Sequence, residues 1–386
     1  MRLPRRVTAP LLASTLLAAA VTGCDSTGDA GDATDVVIGA DLATGSAIDS
    51  AYARALQLKI EQVNASGQLG DHRLVLRVQD NRSDSTSSLR NISLFADDAR
   101  VAAIVTGSCG ECVVDAAKTI NDKRVPTIAL AAAAEVSAPV TERRYVFKLG
   151  PNPVDSAAAL VTELQRTRTK SVALLYADDL YGRGGHQVMT SALDKAGITI
   201  AGSRTVKPAA TDVSQAVGML AEAKPDALVV WTAPDQAALA ATSAKAAKFG
   251  GRLYFDAAAA GDLFIPSEAA RATNNATMVF PQILAIDDVI ATTPAKAARK
   301  QWFRDYTSRY GSYSGAAAFA ADAVDLVADA VGRAGGNRER IRDILETSQM
   351  DGLSGPIRIT PDNHSGLMPQ ALTLLVARSG RWRLLG

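Results

Sequence analysis

Cys109 and Cys112 enclose Gly110 and Glu111, and this short segment follows an apolar run at residues 101–105 and opens a helix-like stretch. A helix start lowers a thiol's pKa, so three chemistries are open: a redox pair, half of a four-Cys zinc site, or a local disulfide. The zinc reading needs a second Cys pair, and the third Cys of the chain, Cys24, stands alone far upstream. In an exported chain, neighbouring thiols oxidise readily, which favours a disulfide bracing the loop. His72, His186 and His364 are widely separated, with no pair at metal-ligand spacing. His72 and His364 fall in polar, turn-like stretches and are expected to be solvated. Gly182-Arg183-Gly184-Gly185 sits between a strand-like and a helix-like run, as a phosphate loop does. It lacks the third glycine of the dinucleotide fingerprint and reads as a tight strand-to-helix turn. Neither a Gly-x-Ser-x-Gly elbow nor a Gly-x4-Gly-Lys-Ser/Thr loop occurs. No catalytic residue, metal or cofactor is expected.

The elements that position these residues belong to a chain of 386 residues with net charge +1, 47% apolar and 21% charged. That length suggests two or three domains, each able to bury a core. Balanced charge argues against nucleic acid, whose phosphates call for surplus Lys and Arg. At the start, Arg2, Arg5 and Arg6 precede an apolar run at residues 7–21, too short for a spanning helix. This is the layout of an export signal. Val21-Thr22-Gly23-Cys24 resembles a bacterial lipobox, which implies a signal peptide at 1–23 and lipidation of Cys24. Residues 24–34 hold no large apolar side chain and read as a flexible tether. Two acyl chains hold a protein stably to a bilayer. The expected location is the extracytoplasmic face of the cell membrane.

Short apolar runs then alternate with longer helical patterns, as in parallel α/β architecture. Strands are expected at residues 36–40, 74–78, 101–105, 127–130 and 145–149, with helices at 46–64 and 112–121. Ser46 and Asp49 have capping-box spacing, and Gly67 is placed to end the first helix. Residues 80–88 read as a polar loop. A second series has strands at 172–176, 198–201, 227–231, 253–255 and 278–280, with helices at 187–196 and 213–223. Two helices at 294–310 and 316–334 and strands at 356–359 and 371–376 follow.

Several stretches in order resemble the solute-binding proteins of branched-chain amino-acid-type ABC importers. Val63-Asn64-Ala65-Ser66-Gly67-Gln68-Leu69-Gly70 is similar to the family's "N-A-x-G-G-x-x-G" turn, and Val125-Pro126-Thr127-Ile128 to its "V-P-x-I" strand. Tyr181-Gly182-Arg183-Gly184 resembles "Y-G-x-G", Lys224-Pro225-Asp226-Ala227 resembles "x-P-D-x", and residues 352–359 resemble the closing "G-x-x-G-x-I" strand. The set spans nearly all of 35–386. It implies the type I periplasmic-binding fold: α/β, two similar doubly wound lobes with a hinge and an interlobe cleft. Crossovers are expected near 150, 281 and 355, giving lobe 1 as 35–151 plus 282–355 and lobe 2 as 152–281 plus 356–386.

Ligands of open α/β sheets bind outside the strand carboxyl ends. The candidate binding residues are therefore Thr44, Ser108, Cys109, Gly110, Glu111, Ala131, Ala133, Tyr181, Trp231, Thr232 and Asp256. The resemblance implies a ligand-binding Ser and Thr where this chain has Gly110 and Ala133, so two hydroxyls are missing. Glu111 at a helix start is favoured by the dipole and repels an anionic ligand. Asp256 stands one or two positions from the family's acidic residue. Trp302 and Trp382 are expected to pack. The implied function is a lipid-anchored, monomeric receptor that hands a small polar solute, an amino acid or related amide or amine, to an ABC permease. The rival is a ligand-sensing lipoprotein without a transport role.

Overall fold

The computed structural model describes residues 33–262 and 267–386. The signal segment, Cys24 and the tether as far as residue 32 lie outside the described residues. The first half runs β1 (Thr34–Leu42), α1 (Ala47–Ser66), β2 (His72–Asp80), α2 (Ser85–Asp97), β3 (Val101–Thr106), α3 (Gly110–Asp122), β4 (Thr127–Ala129) and β5 (Val146–Lys148). Its strands form one parallel sheet in the order β2-β1-β3-β4-β5. Helices cover both faces of such a sheet, so its central strands must be apolar on both sides. The last seven residues of β1 and all of β3 are buried accordingly.

The second half runs α4 (Pro153–Arg166), β6 (Ser171–Ala177), α5 (Leu180–Lys195), β7 (Thr199–Val206), α6 (Ser214–Glu222), β8 (Ala227–Trp231), α7 (Pro234–Ala246), β9 (Arg252–Phe255), α8 (Ser267–Thr273) and β10 (Thr277–Pro281). After α9 (Pro294–Tyr310), α10 (Ala317–Ala334) and α11 (Arg338–Leu345) come β11 (Gln349–Asp351), β12 (Pro356–Arg358), β13 (Leu372–Arg378) and β14 (Arg381–Leu384). The second sheet has the order β14-β13-β10-β9-β8-β6-β7. Its β6–β10 strands are parallel, whereas β13 returns antiparallel against β10 and pairs with β14. The short strand β12 pairs with β11 in a separate ribbon, and the chain beside it bridges to Lys148.

Several expectations are corrected. The supposed loop at 80–88 turns into α2, because the Asp84 carboxylate accepts the Ser87 N–H at 2.7 Å and caps a helix. The glycine run 182–185 is no turn: α5 starts at Leu180, capped by Asp179, which accepts the Gly182 N–H at 2.7 Å. Gly182 and Gly185 let the helix lie close on the sheet, since a Cβ would fall 2.0 Å from the Ala177 carbonyl oxygen at the first and 2.1 Å from the Trp231 ring at the second. His364 is fully buried, its Nδ1 3.0 Å from the Val146 carbonyl and its ring tilted against that of Phe147 with centroids 4.5 Å apart. His72 is half-buried at the start of β2. Trp302 and Trp382 pack in the core as expected.

Not every glycine is needed. Gly218 lies inside α6, and a Cβ there would meet nothing within 4 Å. Gly218→Ala is expected to stabilise the protein by about 0.5–1 kcal/mol, the usual gain of Ala over Gly in an open helix site. Urea denaturation measures it.

Candidate functional site

In each sheet the strand order reverses once, between β1 and β3 and between β6 and β8. Ligands bind at such switch points, outside the strand carboxyl ends. The loops there carry most of the residues singled out in the sequence, and the two sets meet.

On the first sheet, Asp49 is the organiser. It is fully buried in the first turn of α1 and accepts N–H bonds from Ala43 at 2.7 Å and Ser108 at 3.0 Å. One carboxylate thus ties the loop after β1 to the loop after β3. Only half of the expected capping box exists: Ser46 Oγ accepts the Asp49 N–H at 3.5 Å, while the Asp49 side chain turns to the neighbouring loop. A Cβ at Gly107 would fall 2.0 Å from Asp49 Oδ2, so only glycine admits this approach. Burial raises the Asp49 pKa. Behind it, buried Asp41 accepts from Asn81 at 2.9 Å, Ser88 at 2.5 Å and Asn91 at 2.9 Å.

Thr44 and Ser108 are exposed on this rim. Cys109 and Cys112 are joined in a disulfide across the first turn of α3, with S–S 2.01 Å. Its loop is only a few residues long, so chain entropy assigns the bond about 2 kcal/mol. Reduction is expected to lower unfolding stability by about that amount, read by urea titration with and without a phosphine. Ala131 and Ala133 are buried. A Cβ on Gly110 would sit 3.3 Å from Ala133 and 3.6 Å from Leu180 of the other lobe, so no hydroxyl-sized space remains open there.

On the second sheet, Tyr181 OH donates to Asp256 Oδ2 at 2.6 Å, and the Ala258 N–H donates to the same oxygen at 2.8 Å. Asp256 is fully buried and its Oδ1 makes no hydrogen bond. Burial pushes its pKa up to about 7. Trp231 is buried, with its ring 5.9 Å from that of Tyr181. Thr232 is buried too, and its hydroxyl donates to the Ala233 carbonyl at 3.2 Å.

At the facing switch-point loops, contacts cross from one sheet's side to the other. Glu111, at the start of α3, reaches across and accepts the Leu180 N–H of α5 at 2.6 Å. Leu180 and Tyr181 also pack against the apolar cluster that holds Val113, Ala133 and Val136. Sequence reasoning missed Asp49's second role, Asp179, Leu180 and Lys148. The last is a fully buried cation at the end of β5, bonded to Ala132 O at 3.2 Å and Asn152 Oδ1 at 2.6 Å. Burial pulls its pKa down to about 7. The Asp179 cap was legible as an Asp preceding a helix; the others depend on tertiary neighbours.

A cavity of about 180 Å³ lies between the start of α1 and the start of α7. Ile48, Ala237, Phe255 and Trp382 supply apolar walls, with Asp235 and Asp262 among the polar groups.

Two doubly wound lobes that face each other through their switch-point loops are the architecture of a ligand-binding protein built around a cleft. The chain belongs to the periplasmic binding protein family, whose model matches residues 37–381. It is similar to an extracellular ligand-binding receptor from Rhodopseudomonas palustris HaA2, with 22% identity, TM-score 0.82 and coverage of 91% of this chain and 99% of that one. A leucine binding protein from Thermotoga maritima MSB8 matches with 19% identity and TM-score 0.76 over 91% of this chain and 98% of that one. A solute binding protein of an ABC transporter from Rhodopseudomonas palustris BisB5, in complex with 3,4-dihydroxy benzoic acid, matches with 17% identity and TM-score 0.78, covering 91% and 96%. At these identities the likeness is one of fold.

Proposed function

We propose that this chain is the lipid-anchored, extracytoplasmic solute receptor of an ABC importer, capturing a small polar solute such as an amino acid, amide or amine by lobe closure. The observation that carries the reading is the facing pair of switch-point loops, with Glu111 meeting Leu180 and the Tyr181–Asp256 pair close by. A ligand touching both lobes binds the closed arrangement better and shifts the population towards it. No bond is broken. Crossovers near 150, 281 and 370 would act as the hinge. The third lies beyond the expected 355, and residues 356–367 go with lobe 1 instead of lobe 2, because β12 pairs with β11 and Ser365 bridges to Lys148 of the first sheet, the chain rejoining the second sheet only at β13. Lys148 and Gly150, at the first crossover, pack on the loop that carries Ala131 and Ala132. Cys24 would carry the acyl chains, and a monomer suffices for the closure.

The test is a thermal-shift screen of the soluble 25–386 chain against amino acids, amides, urea, polyamines and sugars. A ligand at 100 times its dissociation constant adds about 2.7 kcal/mol to stability. Silence from a well-folded protein across the panel would count against a solute receptor and for the sensing or partner-binding alternative. For the anchor, Cys24→Ser is expected to move the protein from the membrane fraction to the soluble fraction and to stop labelling with palmitate.

A further inference from the structure

Helix N-termini are natural anion sites, because their first N–H groups lack intrahelical partners and the helix dipole adds positive potential. The α/β fold aims several of them at the cleft, which would ordinarily suit a carboxylate ligand. Here the chain places acidic side chains of its own near these helix starts. Asp49 lies in the first turn of α1, Glu111 in that of α3 and Asp235 in that of α7. At the start of α5 two carboxylates converge: Asp179 takes the Gly182 N–H at 2.7 Å, and Glu111 arrives from the other lobe to take the Leu180 N–H at 2.6 Å. The Glu111 charge is one reason the Asp179 pKa is raised, after burial itself.

The space left over has the complementary character. Among the described residues, no Lys, Arg or His lines the cavity between α1 and α7. Its walls include Ile48, Ala238, Phe255 and Trp382, and its charged groups are Asp235 and Asp262. Arg54 acts electrostatically on Asp262, yet it is spread over the Tyr310 ring at 5.6 Å. At about 30 Å³ per water, the cavity of about 180 Å³ holds roughly six water-sized atoms. A carboxylate placed there would find the acidic neighbours Asp235 and Asp262, and at α5 a helix end already occupied.

We propose that Glu111 is a specificity-determining latch between the lobes: it keeps the α5 helix end for itself and restricts the cleft to a small, largely apolar molecule with a neutral or cationic head, seated in the cavity between α1 and α7. The proposal rests on the receptor reading above and adds the ligand's charge class, its seat and the residue that selects it. Because Glu111 joins the lobes without help from a ligand, it also favours closure of the empty receptor.

The experiment uses three molecules of one shape: isopentylamine, isovaleramide and isovalerate. Their affinities for the 25–386 chain are measured by calorimetry, with Trp382 in the cavity wall giving a fluorescence signal. The amine and the amide are expected to bind at least tenfold more tightly than isovalerate. Glu111→Ala, which frees the Leu180 N–H, is expected to shrink that ratio at least tenfold and to enlarge the ligand-free radius of gyration in small-angle scattering. Glu111→Gln keeps an acceptor without the charge and should fall between. Ala238→Phe, filling the cavity from a half-buried position, should abolish amine binding while the protein stays folded by circular dichroism. Isovalerate binding wild type as well as the amine does would overturn the charge selection, as would an unchanged ratio in Glu111→Ala. Amine binding that survives Ala238→Phe would overturn the seat. If none of the three binds either form while the broad screen yields another ligand, the proposal fails and the receptor reading stands. If both are silent, both fail.

Discussion

Gly182→Ala is expected to destabilise the protein by about 3 kcal/mol and to remove ligand-induced stabilisation altogether. A Cβ at residue 182 would lie 2.0 Å from the carbonyl oxygen of Ala177, a backbone atom at the end of β6 that cannot swing aside. Overpacking costs about 1–3 kcal/mol even where side chains can yield, so the upper end applies. The helix must back away from the sheet, and it carries Tyr181 and Leu180 with it. Tyr181 would then lose its 2.6 Å bond to Asp256, and Leu180 its bond to Glu111. Both features of the cleft therefore depend on one missing methyl group. Gly184→Ala is the matched control, since its Cβ would come no nearer than 3.8 Å to any neighbour, at Glu135 Oε1. It should be as stable as wild type or slightly more so. Urea unfolding of the pair measures the difference. If Gly182→Ala lay within 1 kcal/mol of its control, α5 would not approach β6 as closely as described.

The same glycines show what the sequence could tell. Their cluster was visible, but a turn and a closely packed helix start look alike in one dimension; only the Asp179 cap, just before Leu180, separated them. Continuous apolar runs marked the buried parallel strands well, and β8 (Ala227–Trp231) matched residue for residue. Helices without a polar face were harder. In α7 the buried positions are Gln236, Ala237, Ala240, Ala241 and Ala244, and alanine is too small to mark one face as apolar against another. The start of α2 is rich in Ser and Asp, residues that favour turns as readily as caps. The type I periplasmic-binding architecture emerged from an ordered set of short motifs, each weak by itself.

Within the site, Asp256 and Tyr181 were legible as polar groups at or just beyond strand ends. Their mutual bond was not, because it joins loops after two different strands. The Glu111–Leu180 contact lies further out of reach, since it spans 69 positions and joins different lobes. Glu111 read as a charge facing a ligand, whereas its carboxylate holds the opposite helix. His364 misled for the opposite reason: its sequence neighbours suggest solvent, but in space it is buried against Phe147, two backbone carbonyls and the Glu346 carboxylate.

Asp256→Asn is expected to gain stability relative to wild type as pH rises, by about 3–4 kcal/mol between pH 4.5 and 8. In the folded protein burial holds the Asp256 pKa up to about 7, against an ordinary value of 3.8. Between those values the folded state keeps a proton that the unfolded state has released. Stability from this group is therefore full below about pH 4 and is lost as pH rises through 7, at about 1.4 kcal/mol per unit. Asparagine removes the titration while leaving an amide that can still accept from Tyr181. Buried Asp322 acts in the same direction, its pKa raised to about 6. Lys148 acts above neutrality with the opposite sign: its folded pKa of about 7 lies below the ordinary 10.5, so the unfolded state binds more protons and stability recovers towards pH 10. Exposed carboxylates with lowered pKa values, such as Asp226 and Asp80, oppose the acid-side trend, but they are solvent-screened. The difference between Asp256→Asn and wild type cancels all of these other groups. Urea unfolding across pH 4.5–8 gives it directly. A flat difference would mean that Asp256 ionises as it does in water and that the cleft floor is wet; a rising one means that the unbonded Oδ1 is kept dry, where a ligand's donor group gains most from reaching it.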